Sequence, residues 1–279
     1  PGFVIIHDVL GAAKQPAQYD WLLHAVAPIE TDASQQAFGL TSGKARLYGR
    51  FVAPSDLKLN VVKGYPVEPV DGYSTRPVPP EQYSHEWTLW ATPREKRAEE
   101  DYLVGMQIQR VEGAEDATIG AIPATRALGV ECKTASQRHL TLFRKRNETG
   151  TISGGGIETD CEIGTVTLNH DGSIVLALMI GGTYLKRDGR EIIGSSQRGN
   201  VSLTANVAGL IVNSDLPQAG TVRIAAKKPY KLQAPAGEKQ VVLEQKMPVG
   251  QSRKVKCGEY EFETYALPVG EALQQYWWG

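Results

Sequence analysis

Short apolar or alternating segments, each closed by a turn signal, recur about every 8–12 residues along this chain, and that rhythm restricts it to an all-β fold. The clearest are FVIIHDVL at 3–10, YDWLLHA at 19–25, YLVGMQIQRV at 102–111 and RHLTLFR at 138–144. They are rich in β-branched and aromatic residues, which suit a pleated, half-buried surface. KARLYGRFVAPSDLKL at 44–59 alternates apolar and polar side chains and breaks near Pro54. HEWTLW at 85–90 resumes a strand. Beyond Cys161 the segments 162–168, 173–180, 183–185, 191–193, 201–207, 210–213, 221–225 and 241–243 continue the pattern, and 255–257 and 260–265 close it. Asp171-Gly172 and Asp188-Gly189 fall at the links and signal hairpins. Only Glu271–Tyr276 has a slightly helical pattern, and no heptad or fixed-period repeat occurs.

The connections carry their own information. Residues 31–43 are polar and read as a loop. Residues 63–83 hold Pro66, Pro69, Pro77, Pro79 and Pro80, which excludes a helix or a central strand and leaves a long connection of the kind that often carries function. The charged stretch 92–101 reads as an exposed loop or one solvated helical turn. Gly154-Gly155-Gly156 suggests a division, with one β-sandwich over 1–160 and a second antiparallel β-sandwich over 161–279.

Composition removes several function classes. Hydrophobic content of 41% with 22% charge is that of a globular chain. A net charge of −1 provides no general field toward nucleic acid, so no nucleic-acid partner is expected. No apolar stretch reaches the ~18 residues of a membrane span. Cys132, Cys161 and Cys257 stand far apart with no CxxC, which leaves three buried thiols, or one disulfide and a free thiol. There is no GxSxG, HExxH or phosphate-loop pattern, and Asn147-Glu148-Thr149 is a sequon that matters only in a eukaryotic secretory setting. Pro1 stands where an initiator Met would be and the chain opens straight into a strand, so the expectation is a fragment whose upstream partner is missing.

Candidate chemistry gathers in the first ninety residues. A strand points successive side chains to opposite faces, which separates His7 from Asp8. If the first two strands pair as a hairpin, Asp8 approaches His24, and a carboxylate with an imidazole suits zinc or a similar divalent ion. The competing reading has Asp8 capping a turn and His24 as a partly buried hydrogen-bonding residue. Arg46, Tyr48 and Arg50 share one strand face and could hold an acidic sugar, since guanidinium groups pair bidentately with carboxylates; an ordinary solvated face is the alternative. His85 and Trp87 also share a face, which would place an imidazole beside an aromatic platform, although a core Trp is the commoner arrangement.

FVIIHDVL and YDWLLHA, together with RLYGRFVAPSDLKL, WTLWATP and DYLVGMQIQ, resemble the β-sheet region of heparinase II/III-like polysaccharide lyases over about residues 1–145. The resemblance implies a supersandwich-like sheet region that follows an α/α toroid in the same protein or a companion chain. It implies β-elimination on a uronic-acid-containing polysaccharide, in a bacterial periplasmic or secreted setting. It also implies a structural zinc, for which Asp8 and His24 stand where two ligands are expected. His85 and Arg46 are the catalytic candidates, with Arg50, Tyr48 and Trp87 as substrate-binding candidates. The toroid residues are absent from this chain, so it is not expected to be a competent lyase alone. The alternative, from a different class, is a non-catalytic carbohydrate-binding or structural β-sandwich module.

Overall fold

The structure, a computed structural model, describes residues 2–11, 15–64, 86–113, 117–206, 209–225, 229–243, 252–257 and 260–265. Among them there is no helix: the chain is all-β and its sheets are antiparallel. It packs as two compact units, one of residues 1–122 and 130–135, the other of 123–129 and 136–279.

In chain order the first unit holds β1 (Gly2–Gly11), β2 (Trp21–Ala25), β3 (Ile29–Asp32), β4 (Ala37–Ser42), β5 (Ala45–Ala53), β6 (Leu57–Lys63), β7 (Trp87–Pro93), β8 (Glu99–Arg110) and β9 (Thr118–Ile122). Two sheets form from these strands, one ordered β1-β8-β5-β4-β3 and one ordered β2-β7-β6. Their facing sides make one core from Trp21, Phe38, Phe51, Leu57, Leu89, Tyr102 and Val104, with Ile6, Leu23, Leu47 and Trp87 packed around it. Tyr102 is 0% exposed, and its hydroxyl lies 3.1 Å from both the Tyr19 and Ala91 carbonyl oxygens. That tether runs from β8 in the larger sheet to β7 in the smaller one, so it fixes the layers at the point where their apolar faces meet.

Strands next to each other in sequence do not always pair. β1 pairs with β8 and β2 with β7, so the expected β1–β2 hairpin does not form. Residues 31–43, expected to be a loop, instead form most of the β3–β4 hairpin. Its turn is held by Asp32 Oδ1, which accepts from the Ser34 amide, the Ser34 hydroxyl and the Gln35 amide. The Asp and Ser that read as loop residues are thus turn residues between strands, and Phe38 just beyond them is 2% exposed. The charged stretch 92–101 makes no helical turn. Arg97 bonds Asp56 at 2.7 Å and Glu100 at 2.8 Å, and β8 starts at Glu99. Burial raises the Glu100 carboxyl above its usual range, against the pull of Arg97.

The second unit begins with β10 (Ala124–Thr125), and β11 (Ala127–Lys133) runs from it into the first. It continues with β12 (Gln137–Arg144), β13 (Ile152–Gly154), β14 (Ile157–Thr159), β15 (Ile163–Asn169), β16 (Ile174–Arg187), β17 (Arg190–Asn206) and β18 (Gly209–Leu216). β19 (Gly220–Ala225), β20 (Pro229–Ala234), β21 (Gly237–Leu243), β22 (Ser252–Cys257) and β23 (Tyr260–Tyr265) complete it. One antiparallel run is ordered β12-β15-β16-β17-β18-β21, and β19 also pairs with β17. The Gly run turns the β13–β14 hairpin, with φ of 57° at Gly155 and 84° at Gly156. Asp188-Gly189, with φ of 47° and 78°, does the same for β16–β17. Two successive positive φ values make the type I′ turn that matches strand twist, which is why Gly and Asp occupy these sites. Cys132 and Cys161 are free and buried, and burial pushes each thiol up to about 12.

Gly49 lies against the Phe38 ring, so any Cβ there must displace a core aromatic. Gly49→Ala is expected to cost about 1–3 kcal/mol by overpacking. Gly120→Ala, which meets nothing within 4 Å, should stay within about 0.5 kcal/mol. Urea unfolding midpoints of the two variants test this; equal midpoints would contradict the packing.

Candidate polyanion-binding face

The period of two along β5 divides its side chains. Leu47, Gly49 and Phe51 turn to the core, while Arg46, Tyr48 and Arg50 share the opposite face. On β8, directly across from them, stand Gln109, Gln107 and Gly105. The result is two rows: Arg46, Tyr48 and Arg50 on β5, and two amides and a glycine on β8. The three candidates from β5 are therefore brought together as expected. The glutamines went unread in the sequence because Leu103–Met106 before them is apolar on both faces and hides the alternation that begins at Gln107.

Arg50 is a brace in this arrangement. Its Nε donates to the Gln35 carbonyl at 2.9 Å and its Nη1 to the Ile119 carbonyl at 2.7 Å. Those bonds hold the guanidinium to the β3–β4 turn and to β9. Gly105 lets β9 and the end of β11 approach the sheet, since a Cβ there would stand 2.7 Å from Ile119 Cγ2 and 3.3 Å from Cys132 Sγ. β9 and β11 thus cover the Gly105 end, and the half-buried Arg46 and Tyr48 stand toward the other end. Gln107 is 1% exposed and accepts from the Ala117 amide at 3.2 Å, so it is closed off from solvent beside Tyr48.

The other candidates separate. Asp8 lies on the core side of β1, and its Oδ2 accepts from the Trp21 indole N–H at 3.1 Å. His24 lies three residues beyond Trp21, on the outer side of β2, opposite Thr88. Its Nδ1 is 3.0 Å from Thr88 Oγ1, and that hydroxyl donates to the Gly64 carbonyl at 2.8 Å. A hydroxyl has one proton, so His24 Nδ1 is the donor of the pair. Asp8 and His24 consequently face opposite sides of the smaller sheet, and the structure does not bring them together. Among the described residues, no group of three or more His, Cys, Asp or Glu side chains could hold a metal ion.

Trp87 is partly buried and packs against the core. Trp90 lies on the outer side of the smaller sheet with Leu22 and Asn60 across from it, and its indole N–H is buried without a hydrogen-bond partner. His85 lies outside the described residues. His7, on the side of β1 away from the core, is 3.7 Å from Asp101, and its side chain is 12% exposed. Burial lowers its pKa below 6.5, against the opposing pull of Asp101 and Asp8. His139 in the second unit is lowered by burial as well and sits 2.6 Å from the Thr167 hydroxyl.

No helix among the described residues is long and apolar enough to cross a membrane. No protein-family model matches the chain, and no curated protein matches it.

Two outcomes follow for the buried polar groups. Asp8→Ala leaves the Trp21 N–H without its acceptor and should cost about 1–3 kcal/mol. The loss should persist in a metal chelator and shrink in a Trp21→Phe background; a loss abolished by the chelator would assign Asp8 to a metal instead. The lowered His7 and His139 give a pH dependence of defined sign. Below pH 6.5 the unfolded imidazoles take up protons that the folded ones refuse, so their contribution is complete above 6.5 and is lost as pH falls toward the folded values. Thermal melts between neutral and mildly acidic pH should show this fall. It should be shallower in His139→Gln, and an unchanged slope would contradict the assignment.

Proposed function

We propose that this chain is the β-sheet portion of a polysaccharide lyase that acts by β-elimination on a uronic-acid-containing polysaccharide. In this reading an α/α toroid of the same protein or a companion chain supplies the remaining catalytic groups, in a bacterial periplasmic or secreted setting. The observation that carries it is the common face of Arg46 and Tyr48 on β5, turned away from the core and braced by Arg50.

The chemistry asks for such a face. The C5 proton of a uronate is weakly acidic while the adjacent carboxylate holds its charge. Pairing that carboxylate with a cation or with hydrogen-bond donors stabilises the carbanion-like transition state. Arg46 offers a planar fork of donors to the carboxylate, and Tyr48 a phenol beside it. His85 remains the candidate base from the sequence. The zinc that the resemblance implies is structural, and no step is assigned to it.

The test is calorimetric binding of short oligouronates to the full chain. Arg46→Ala should weaken binding about tenfold, roughly the 1.4 kcal/mol expected of a charge-assisted hydrogen bond. Arg46→Lys should recover part of the loss, and Tyr48→Phe should have a smaller effect. Joined to its toroid, the protein should release a C4–C5 unsaturated product that absorbs in the ultraviolet. Binding without any such product in the complete protein would favour the non-catalytic carbohydrate-binding module, and binding indifferent to Arg46 would overturn the reading.

A further inference from the structure

The second unit carries a groove of about 500 Å³ on the sheet formed by β16, β17, β18 and β21. That volume falls in the ~300–1,000 Å³ range of small-ligand sites. Its side chains stand in two rows that follow the strand register. In one, Leu178 lies across from Ser202, Ser202 from Asn213, and Asn213 from Gln240. In the next, Asn200 lies across from Asp215 and Asp215 from Glu238. Register partners stand about 4.8 Å apart across strands, and the rows about 7 Å apart along them.

The polar groups are already oriented by one another. Gln240 Nε2 donates to Asn213 Oδ1 at 2.7 Å, and Asn213 Nδ2 donates to Ser202 Oγ at 3.2 Å. Asn200 Oδ1 accepts from the Gly181 amide at 3.0 Å, and its Nδ2 reaches Asp215 Oδ2 at 3.4 Å. Each amide carries two donor hydrogens and an acceptor oxygen, so this chain of bonds leaves further N–H and C=O capacity along the groove. Holding the side chains in place beforehand lowers the ordering cost of binding.

We infer that this groove is a binding site for a neutral saccharide. A sugar presents closely spaced hydroxyls, each both donor and acceptor, which match a row of amides and a hydroxyl. It also presents an apolar C–H face, which suits the half-buried Leu178 at the end of the first row. The sign of charge sets the class. Asp215 and Glu238 are exposed cross-strand neighbours at one end, and Lys239, between Glu238 and Gln240 on β21, alternates to the opposite face of the sheet. The two carboxylates repel a uronate and accept hydrogen bonds from a neutral sugar hydroxyl. The site lies within the second unit and does not depend on the lyase reading of the first.

Calorimetry on the full chain with short cello-, manno-, xylo- and galacto-oligosaccharides, and with oligo-alginate as the acidic probe, tests the inference. At least one neutral series should bind. Asn213→Ala and Gln240→Ala should each weaken it about tenfold while Arg46→Ala leaves it unchanged. Gln240→Ala, on the outermost strand of the groove, decides the matter if Asn213→Ala fails to fold. Asp215→Asn combined with Glu238→Gln should keep neutral binding within a few-fold and raise oligo-alginate binding. Failure of every neutral series to bind, neutral binding that survives Gln240→Ala, or oligo-alginate binding that is tighter than the neutral binding, persists in Arg46→Ala and is lost in Gln240→Ala would overturn it.

Discussion

The first unit depends on Tyr102. One side chain, wholly buried, belongs to the larger sheet and hydrogen-bonds the backbone of the smaller. Around it stand Phe51, Phe38 and Trp21, with ring centroids 6.4 Å from Tyr102 to Phe51, 5.4 Å from Phe51 to Phe38 and 5.1 Å from Phe51 to Trp21. Burying a large apolar side chain contributes about 1.5–3 kcal/mol, so this cluster is the main drive for stacking the two sheets. Its polar atoms are met as well: the phenol by carbonyls and the indole by Asp8. Burial also raises the Tyr102 pKa well above its usual value, which keeps the phenol a donor at all ordinary pH.

Once that core is fixed, the alternation of strand side chains determines what remains for function. Every core residue on β5 assigns its neighbours to the other face, so Phe51 and Leu47 inside put Arg50, Tyr48 and Arg46 outside. A shift of one residue in register would bury two guanidinium groups and expose two large apolar side chains, and the energetic cost of both forbids it. The basic face is therefore a consequence of the aromatic core, with the Arg50 bonds to two backbone carbonyls settling its local geometry.

The all-β class and the Arg46-Tyr48-Arg50 face were legible because both rest on local periodicity. The Asp-Gly hairpin at 188–189 was legible for the same reason: it needs only two residues with positive φ. The pairing of β1 with β8 was not, because Asp8 meets Tyr102 across more than ninety residues and nothing near Asp8 announces it. Sequential strands are neighbours in about two-thirds of cases, which made a β1–β2 hairpin a reasonable expectation. The short smaller sheet, closed by β7, takes β2 away instead. That displacement also separates Asp8 from His24. The β3–β4 hairpin was missed because its polar turn, Asp32 to Gln36, outweighed the few apolar residues Ala37, Phe38 and Leu40 in a reading by composition.

The central proposal is that acidic sugar meets Arg46 and Tyr48 on the outward face of β5 while the aromatic core behind them stays closed. Hydrogen exchange of the full chain with and without a saturating oligouronate tests this most directly. The account predicts slower exchange confined to residues 45–50 and 107–110 of the first unit, with 21–25 and 87–92 unchanged. Protection that falls on 21–25 and 87–92 and spares β5 would place the ligand on the outer side of the smaller sheet, beside His24 and Trp90, and contradict it.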